Sequence, residues 1–162
     1  MKKQKGFSLI ELLIVVAIIL IIAAIAIPNL IKSKMAANES SAVGSLRTIT
    51  TAEIAYSTAC PAVGFASALA NLNTGTGCPQ ASNEIDNALS TGVKSGYNFA
   101  ATGGAPQNGA NTNYYATAVP ITVNQTGLRS FCSIDDAVVR VQPSGAPIGT
   151  PFACASLSPL NQ

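Results

Sequence analysis

The chain has 162 residues, 48% of them apolar and 10% charged, with a formal net charge of +2. That length suits one ordinary domain plus a membrane segment better than two domains, and the apolar balance excludes a disordered chain. There is no His and no Trp, which excludes a His-dependent catalytic triad and a His-ligated metal site. No enzymatic activity and no cofactor are expected. The charge is unevenly placed: of the nine Lys and Arg residues, Lys2, Lys3 and Lys5 precede the apolar run, leaving six against seven Asp and Glu. The remainder has no basic footprint for bulk nucleic-acid binding.

The first element is the apolar run itself. From Phe7 to Ile27 it is interrupted only by Ser8 and Glu11. About 21 residues make a helix of roughly 31 Å, enough to cross a bilayer. Three lysines flank it on the N-terminal side, and Lys32 and Lys34 on the other. The positive-inside rule puts the N-terminus in the cytoplasm and the rest of the chain outside. Three plainer readings compete. A secretory signal peptide shares the basic start, and Ala24-Ile25-Ala26 resembles its cleavage site, but the run is long for one and holds a carboxylate. A single-pass anchor explains the length and has no use for Glu11. A buried core helix leaves the lysines unexplained. An acid within a membrane span argues for function.

The string Lys5-Gly6-Phe7-Ser8-Leu9-Ile10-Glu11-Leu12-Leu13-Ile14-Val15-Val16 resembles the prepilin motif of type IV pilins and type II secretion pseudopilins. The resemblance is close over roughly the first thirty residues. It implies that prepilin peptidase cuts between Gly6 and Phe7 and methylates the new Phe7 amine, with Gly6 as the small residue the peptidase needs. It also makes Glu11 the acid at the fifth position of the processed chain. A carboxylate in hydrocarbon costs several kcal/mol unless it is compensated. The cationic amine that cleavage creates on a neighbouring Phe7 would compensate it, so processing and assembly are linked. The expected organisation is a leader over residues 1–6, a transmembrane and filament-core segment over 7–30, and a head over 31–162.

Pro28 ends the apolar run, as a helix stop or as a kink within a longer helix. Ile31, Met35, Ala42, Leu46, Ile49 and Tyr56 then recur on one face at helical spacing. One helix is therefore predicted from about Phe7 to about Ala59, kinked near Pro28 and Asn29. Glu53 shares the apolar face, with Arg129, Arg140 or a second subunit as candidate partners. Cys60-Pro61 ends the helix. The stretch from there to about Gly109 reads as loop, with a short helix over Ser82–Ser90 capped by Ser82. Strands are predicted at Asn113–Thr122, Leu128–Ile134 and Ala137–Gln142, the last two joined by a turn at Asp135-Asp136. Pro143, Pro147, Pro151 and Pro159 mark an irregular tail. The fold class is α+β: a long N-terminal helix packed on an antiparallel sheet of three to four strands, a layout similar to the pilin fold.

Cys60, Cys78, Cys132 and Cys154 all follow the apolar run, on the side expected to be oxidising, and suggest two disulfides. Cys60–Cys78 and Cys132–Cys154 are favoured because each would staple a low-structure loop to an ordered element. The second would also resemble the disulfide-bounded C-terminal region of many type IV pilins. A four-Cys zinc site lacks CxxC spacing. Glu84, Asp86, Asp135 and Asp136 could offer oxygen ligands to calcium, although turn chemistry and a solvated helix face explain them better; no metal site is assigned.

The first functional reading is a structural subunit of a type IV pilus, a homo-oligomeric filament serving adhesion, twitching motility or DNA uptake. It would be stored in the bacterial inner membrane and handled by prepilin peptidase and an inner-membrane assembly machine. The alternative is a pseudopilin in a periplasmic filament of a type II secretion system. The major pseudopilin of that family usually carries an acidic, calcium-binding C-terminal loop. The tail after Gln142 has no Asp or Glu and contains Cys154, which favours the pilin. A membrane-anchored enzyme or binding protein is a third reading, for which no site can be located.

Overall fold

The computed structural model describes residues 7–160, apart from the side chain of Ala105. The chain divides into two units, one ending at Lys34 and the other beginning at Met35. A single helix, α1, Leu9–Ala59, contributes to both.

The first unit is the N-terminal part of α1. Its large apolar side chains lie in the open, from Phe7 at 82% exposure to Leu30 at 69%. An 18-residue window has a mean hydropathy of 3.3 and none of it is buried. An isolated helix this apolar on every side has no place in water. Ile31, predicted on the packing face, belongs to this unit and is also exposed.

The second unit is the head. Its α1 residues bury Ala42, Leu46, Ile49, Glu53 and Tyr56, an alternation of four- and three-residue steps that holds one stripe on one face. Short elements follow: α2, Asn71–Thr74; a 3₁₀ turn, Pro79–Ala81; and α3, Asn87–Ser90. The sheet consists of β1, Val93–Lys94; β2, Tyr97–Gln107; β3, Ala110–Pro120; β4, Ser130–Ile134; and β5, Arg140–Gln142. A last helix, α4, spans Pro151–Ala155. The five strands are antiparallel neighbours in chain order. The α+β expectation holds, with more strands than the three or four predicted.

Strand periodicity sorts the two faces of the sheet. Tyr97, Phe99 and Ala101 of β2, Tyr114, Ala116 and Ala118 of β3 and Phe131 of β4 join the α1 stripe in the main core. Fully burying one large apolar side chain contributes about 1.5–3 kcal/mol, so this face dominates the head's stability. Cys132 points to the other face, where Ile148 and Cys154 are buried with it beneath the C-terminal segment.

Three sequence expectations need correction. The stretch 60–109 contains β1 and the whole of β2 rather than loop with one helix. The β2–β3 hairpin turns at Asn108 and Gly109, with φ of 51° and 88°, the mirror-image geometry that Asn-Gly favours. The predicted helix over Ser82–Ser90 shrinks to α3, and its cap is Asp86, whose side chain accepts from the Leu89 N–H, not Ser82. The tail is not wholly irregular: Thr150 accepts from the Ala153 N–H and Pro151 stands at the first turn of α4, as an N-cap and a leading proline should.

Candidate processing and assembly site

The N-terminal end of α1 is built by the sequence Ser8-Leu9-Ile10-Glu11. The Leu12 N–H donates to the Ser8 carbonyl at 3.2 Å. The Ser8 N–H donates to Oε2 of Glu11 at 2.9 Å. This is the reach-back half of a capping box, in which an acid three residues into the helix satisfies the cap's own N–H. A carboxylate there also lies at the positive end of the helix dipole. Glu11 is thus anchored to the backbone, while Phe7 and Glu11 are both exposed. No Lys or Arg stands between Phe7 and Ile31, so no cationic side chain from that stretch can meet the carboxylate. Gly6, the residue expected before the cleaved bond, lies outside the described residues.

Pro28 sits inside α1. It has no N–H to give the carbonyl of Ala24, four residues earlier. The neighbouring Asn29 side chain donates to the next carbonyl, that of Ile25, at 3.1 Å, and Ser33 Oγ donates to the Asn29 carbonyl at 3.0 Å. These side-chain bonds go to carbonyls near the one the proline frees, not to that carbonyl itself.

In the head, Cys60 is bonded to Cys78 and Cys132 to Cys154. The first bond ties the end of α1 to the 3₁₀ turn. The second ties β4 to α4. The outer face is further closed by the Tyr115 hydroxyl, which donates to the Ile148 carbonyl.

Two carboxylates do what the sequence did not reveal. Glu39 is buried, and Oε1 accepts from the N–H groups of Leu128 and Arg129 at 2.8 and 3.1 Å. Oε2 accepts from Nε and Nη2 of Arg129 at 2.9 and 2.8 Å. Asn38 beside it donates from Nδ2 to the Thr126 carbonyl at 2.8 Å. One turn of α1 thus clamps the β3–β4 connection. Glu39→Ala would leave two N–H groups and a guanidinium without their acceptor. We expect a loss of about 2 kcal/mol, read as a lower urea midpoint for the intact chain in detergent.

Glu53 pairs with neither Arg129 nor Arg140, two of the alternatives that the sequence left open. Arg129 is taken by Glu39, and Arg140 by Asp136. Glu53 is 0% exposed. Its Oε2 accepts from the Ala66 N–H at 2.9 Å, and Oε1 has no partner among the described residues. Burial pushes its pKa up to about 7, against the opposing effect of the Ala66 bond. Of the four acids that could offer oxygen ligands to calcium, two are engaged elsewhere. Asp86 caps α3 and pairs with Lys94 at 2.7 Å. Asp136 pairs with Arg140 and accepts from the Val138 N–H.

Comparison with known proteins adds the following. Residues 1–27 match the family model described as the prokaryotic N-terminal methylation motif. The chain is 34% identical over 152 residues to the type IV major pilin protein PilA of Myxococcus xanthus, an alignment covering 89% of this chain and 61% of that protein. It is 59% identical over 39 residues to the type IV wide pilus major component PilA4 of Thermus thermophilus, covering 24% of this chain and 30% of that one. The chain thus spans less than two thirds of the length of either relative. No solved structure matches it significantly.

Proposed function

We propose that the chain is a type IV pilin and the structural subunit of a surface pilus, a reading supported by its N-terminal methylation motif and its similarity to two type IV major pilins. The observation that carries this reading is the N-terminal unit: a helix apolar on every side, broken by one backbone-anchored carboxylate, Glu11, beside an exposed Phe7. Such a surface has two stable environments, lipid and a bundle of like helices. The subunit waits in the inner membrane in the first and polymerises into the second.

Processing supplies the missing charge. Cleavage between Gly6 and Phe7 by prepilin peptidase leaves an amine on Phe7, which methylation keeps cationic. The amine of an incoming subunit neutralises Glu11 of a neighbour in the fibre core. An uncut chain lacks that amine and keeps three lysines on the cytoplasmic side. Pro28 gives the buried helix a point of local bending. Adhesion, twitching motility and DNA uptake are then properties of the whole filament, driven by an inner-membrane assembly machine. The acid-free tail, stapled by Cys132–Cys154, supports a surface pilus over a type II secretion pseudopilus.

The test is a preparation sheared from cells and examined by electron microscopy, with mass spectrometry of its subunit. We expect filaments whose subunit begins at N-methylated Phe7. Glu11→Ala should be processed normally and should lower filament yield at least tenfold, about 1.4 kcal/mol or more. Recovery of only uncut monomer would sink the reading, and a normal yield from Glu11→Ala would remove the charge pairing from it.

A further inference from the structure

The surface charges of the head do not cancel within one molecule. Among its described residues the cations are Arg47, Lys94, Arg129 and Arg140. Lys94 is paired with Asp86, Arg129 with Glu39 and Arg140 with Asp136. Arg47 alone among these has no carboxylate partner. It stands exposed on the solvent side of α1, on a stripe with Ala36, Ser40, Val43 and Gly44, and these residues line a groove of about 510 Å³ against Arg129 and Leu160. Ala36, Ser40 and Gly44 leave the floor low, so the guanidinium stands over an open trough rather than against packed side chains.

The unmatched acids lie elsewhere. Glu39 and Glu53 are buried, and Asp86 and Asp136 are paired. Glu84 and Asp135 remain, exposed and in no ion pair among the described residues. Asp135 stands at the tip of the β4–β5 hairpin. The start of β4 meets α1 at Glu39, and its end meets α1 at Thr50, through the 3.2 Å bond from Thr50 to Ser133. Strand β4 and helix α1 therefore advance in the same direction, and Asp135 lies beyond the level of Thr50. The groove's α1 residues, within 36–47, lie on the other side of that level.

One molecule thus carries an open cationic groove along residues 36–47 of α1 and, beyond the level of Thr50, an exposed carboxylate. A patch that is complementary to a different patch on an identical molecule makes a heterologous contact, and repeating such a contact without closure generates a helical filament. We propose that the Arg47 groove is an axial docking site for a second copy of this chain, and that the occupant is the β4–β5 hairpin tip carrying Asp135. The proposal rests on the filament reading and adds to it a contact made by the heads. The Glu39–Arg129 pair forms the groove wall with its charge already balanced, leaving Arg47 as the net charge of the lining. Complementary charge sets register and rejects wrong alignments more than it supplies raw affinity.

The experiment is a charge exchange in the full chain, read as sheared filament yield, with processed subunit in the membrane fraction quantified in parallel. Arg47→Glu and Asp135→Arg should each lower yield about tenfold at unchanged subunit level. The double variant should restore it to within about twofold of wild type. If Arg47→Glu is degraded, Arg47→Gln decides, and a normal yield from it overturns the proposal. Loss in both single variants without recovery in the double overturns the pairing, as does recovery of Arg47→Glu by Glu84→Arg instead. In these outcomes wild-type filaments persist and the pilin reading stands. Absence of filaments from the wild type would overturn both.

Discussion

Replacing Cys60, Cys78, Cys132 and Cys154 together with alanine should leave the head largely unfolded at growth temperature. The two bonds close loops with sequence separations of 18 and 22 residues. On the chain-entropy model each such loop contributes about 3 kcal/mol. Their sum, about 6 kcal/mol, compares with about 5–15 kcal/mol for a whole domain. Cys78, Cys132 and Cys154 are also fully buried, so alanine at each loses packing besides. The two bonds should differ in where they act. Cys78 belongs to the main core, and the residues around it hold the Tyr56 hydroxyl, which donates to the Thr76 carbonyl at 2.5 Å. Cys132 and Cys154 belong to the smaller cluster on the outer face of the sheet. Cys132→Ala with Cys154→Ala should cost about 3 kcal/mol and expose residues 143–160 to protease before the sheet opens. Cys60→Ala with Cys78→Ala should lower the global midpoint by a similar amount with no early cut in the tail. Urea unfolding and limited proteolysis of the full chain in detergent measure both. An unchanged midpoint in the quadruple variant would show that the bonds are dispensable.

How much of this architecture is written locally in the sequence varies by element. The N-terminal span is written in a contiguous run and needs no tertiary information. Strand β4 and the turn at Asp135-Asp136 announce themselves by alternation and by turn chemistry. Strand β2 does not, because Ala100, Ala101, Gly103 and Gly104 have poor strand propensity. The reason is tertiary: a Cβ on Gly103 would meet the Ala66 carbonyl oxygen at 2.7 Å, so the loop after α1 crosses the strand where only glycine fits. Yet Asn108-Gly109 carries the hairpin signal plainly, and two strands follow from it once it is weighed. Thr150-Pro151 likewise carries the start of α4. At the N-terminal site, the motif residues are adjacent in sequence, and Ser8 and Glu11 fit a capping box by spacing alone. The Glu39–Arg129 clamp joins residues 90 positions apart, and no local pattern encodes it. Glu53 shares a helical face with Leu46, Ile49 and Tyr56, and that periodicity marks it as inward-facing but not as unpaired.

Glu53 is the site of the second large effect, and its sign is opposite to the usual one for a carboxylate. A paired acid has a lowered pKa, and its contribution to stability is lost as pH falls. Asp86 and Asp136 behave so. Their pKa values are lowered first by hydrogen bonds from Lys94 and Arg140, and their contributions fade only below the ordinary value of 3.8. Glu53 has no cation against it among the described residues. The groups that face it are Tyr56 on its own helix and Tyr114 on β3, both with hydroxyl pKa values pushed up, first by burial and also by the Glu53 charge. Its own pKa rises from 4.5 to about 7. Between those values the folded protein binds more protons than the unfolded chain, so stability falls as pH rises. The contribution is fully present below about pH 4.5, declines through the folded pKa near 7, and is gone above it. A shift of this size corresponds to roughly 3 kcal/mol. Wild-type stability should therefore decrease from pH 5 to pH 8, a window separate from that of the paired acids. Glu53→Gln keeps an oxygen for the Ala66 N–H and removes the titration. It should flatten the profile between pH 5 and pH 8 and make the variant more stable than wild type at pH 8 by roughly 2–3 kcal/mol. Urea midpoints of the two proteins across that range measure it directly. Parallel profiles for wild type and Glu53→Gln would show that Glu53 titrates as an ordinary carboxylate, and that its isolation within the fold has no consequence for stability.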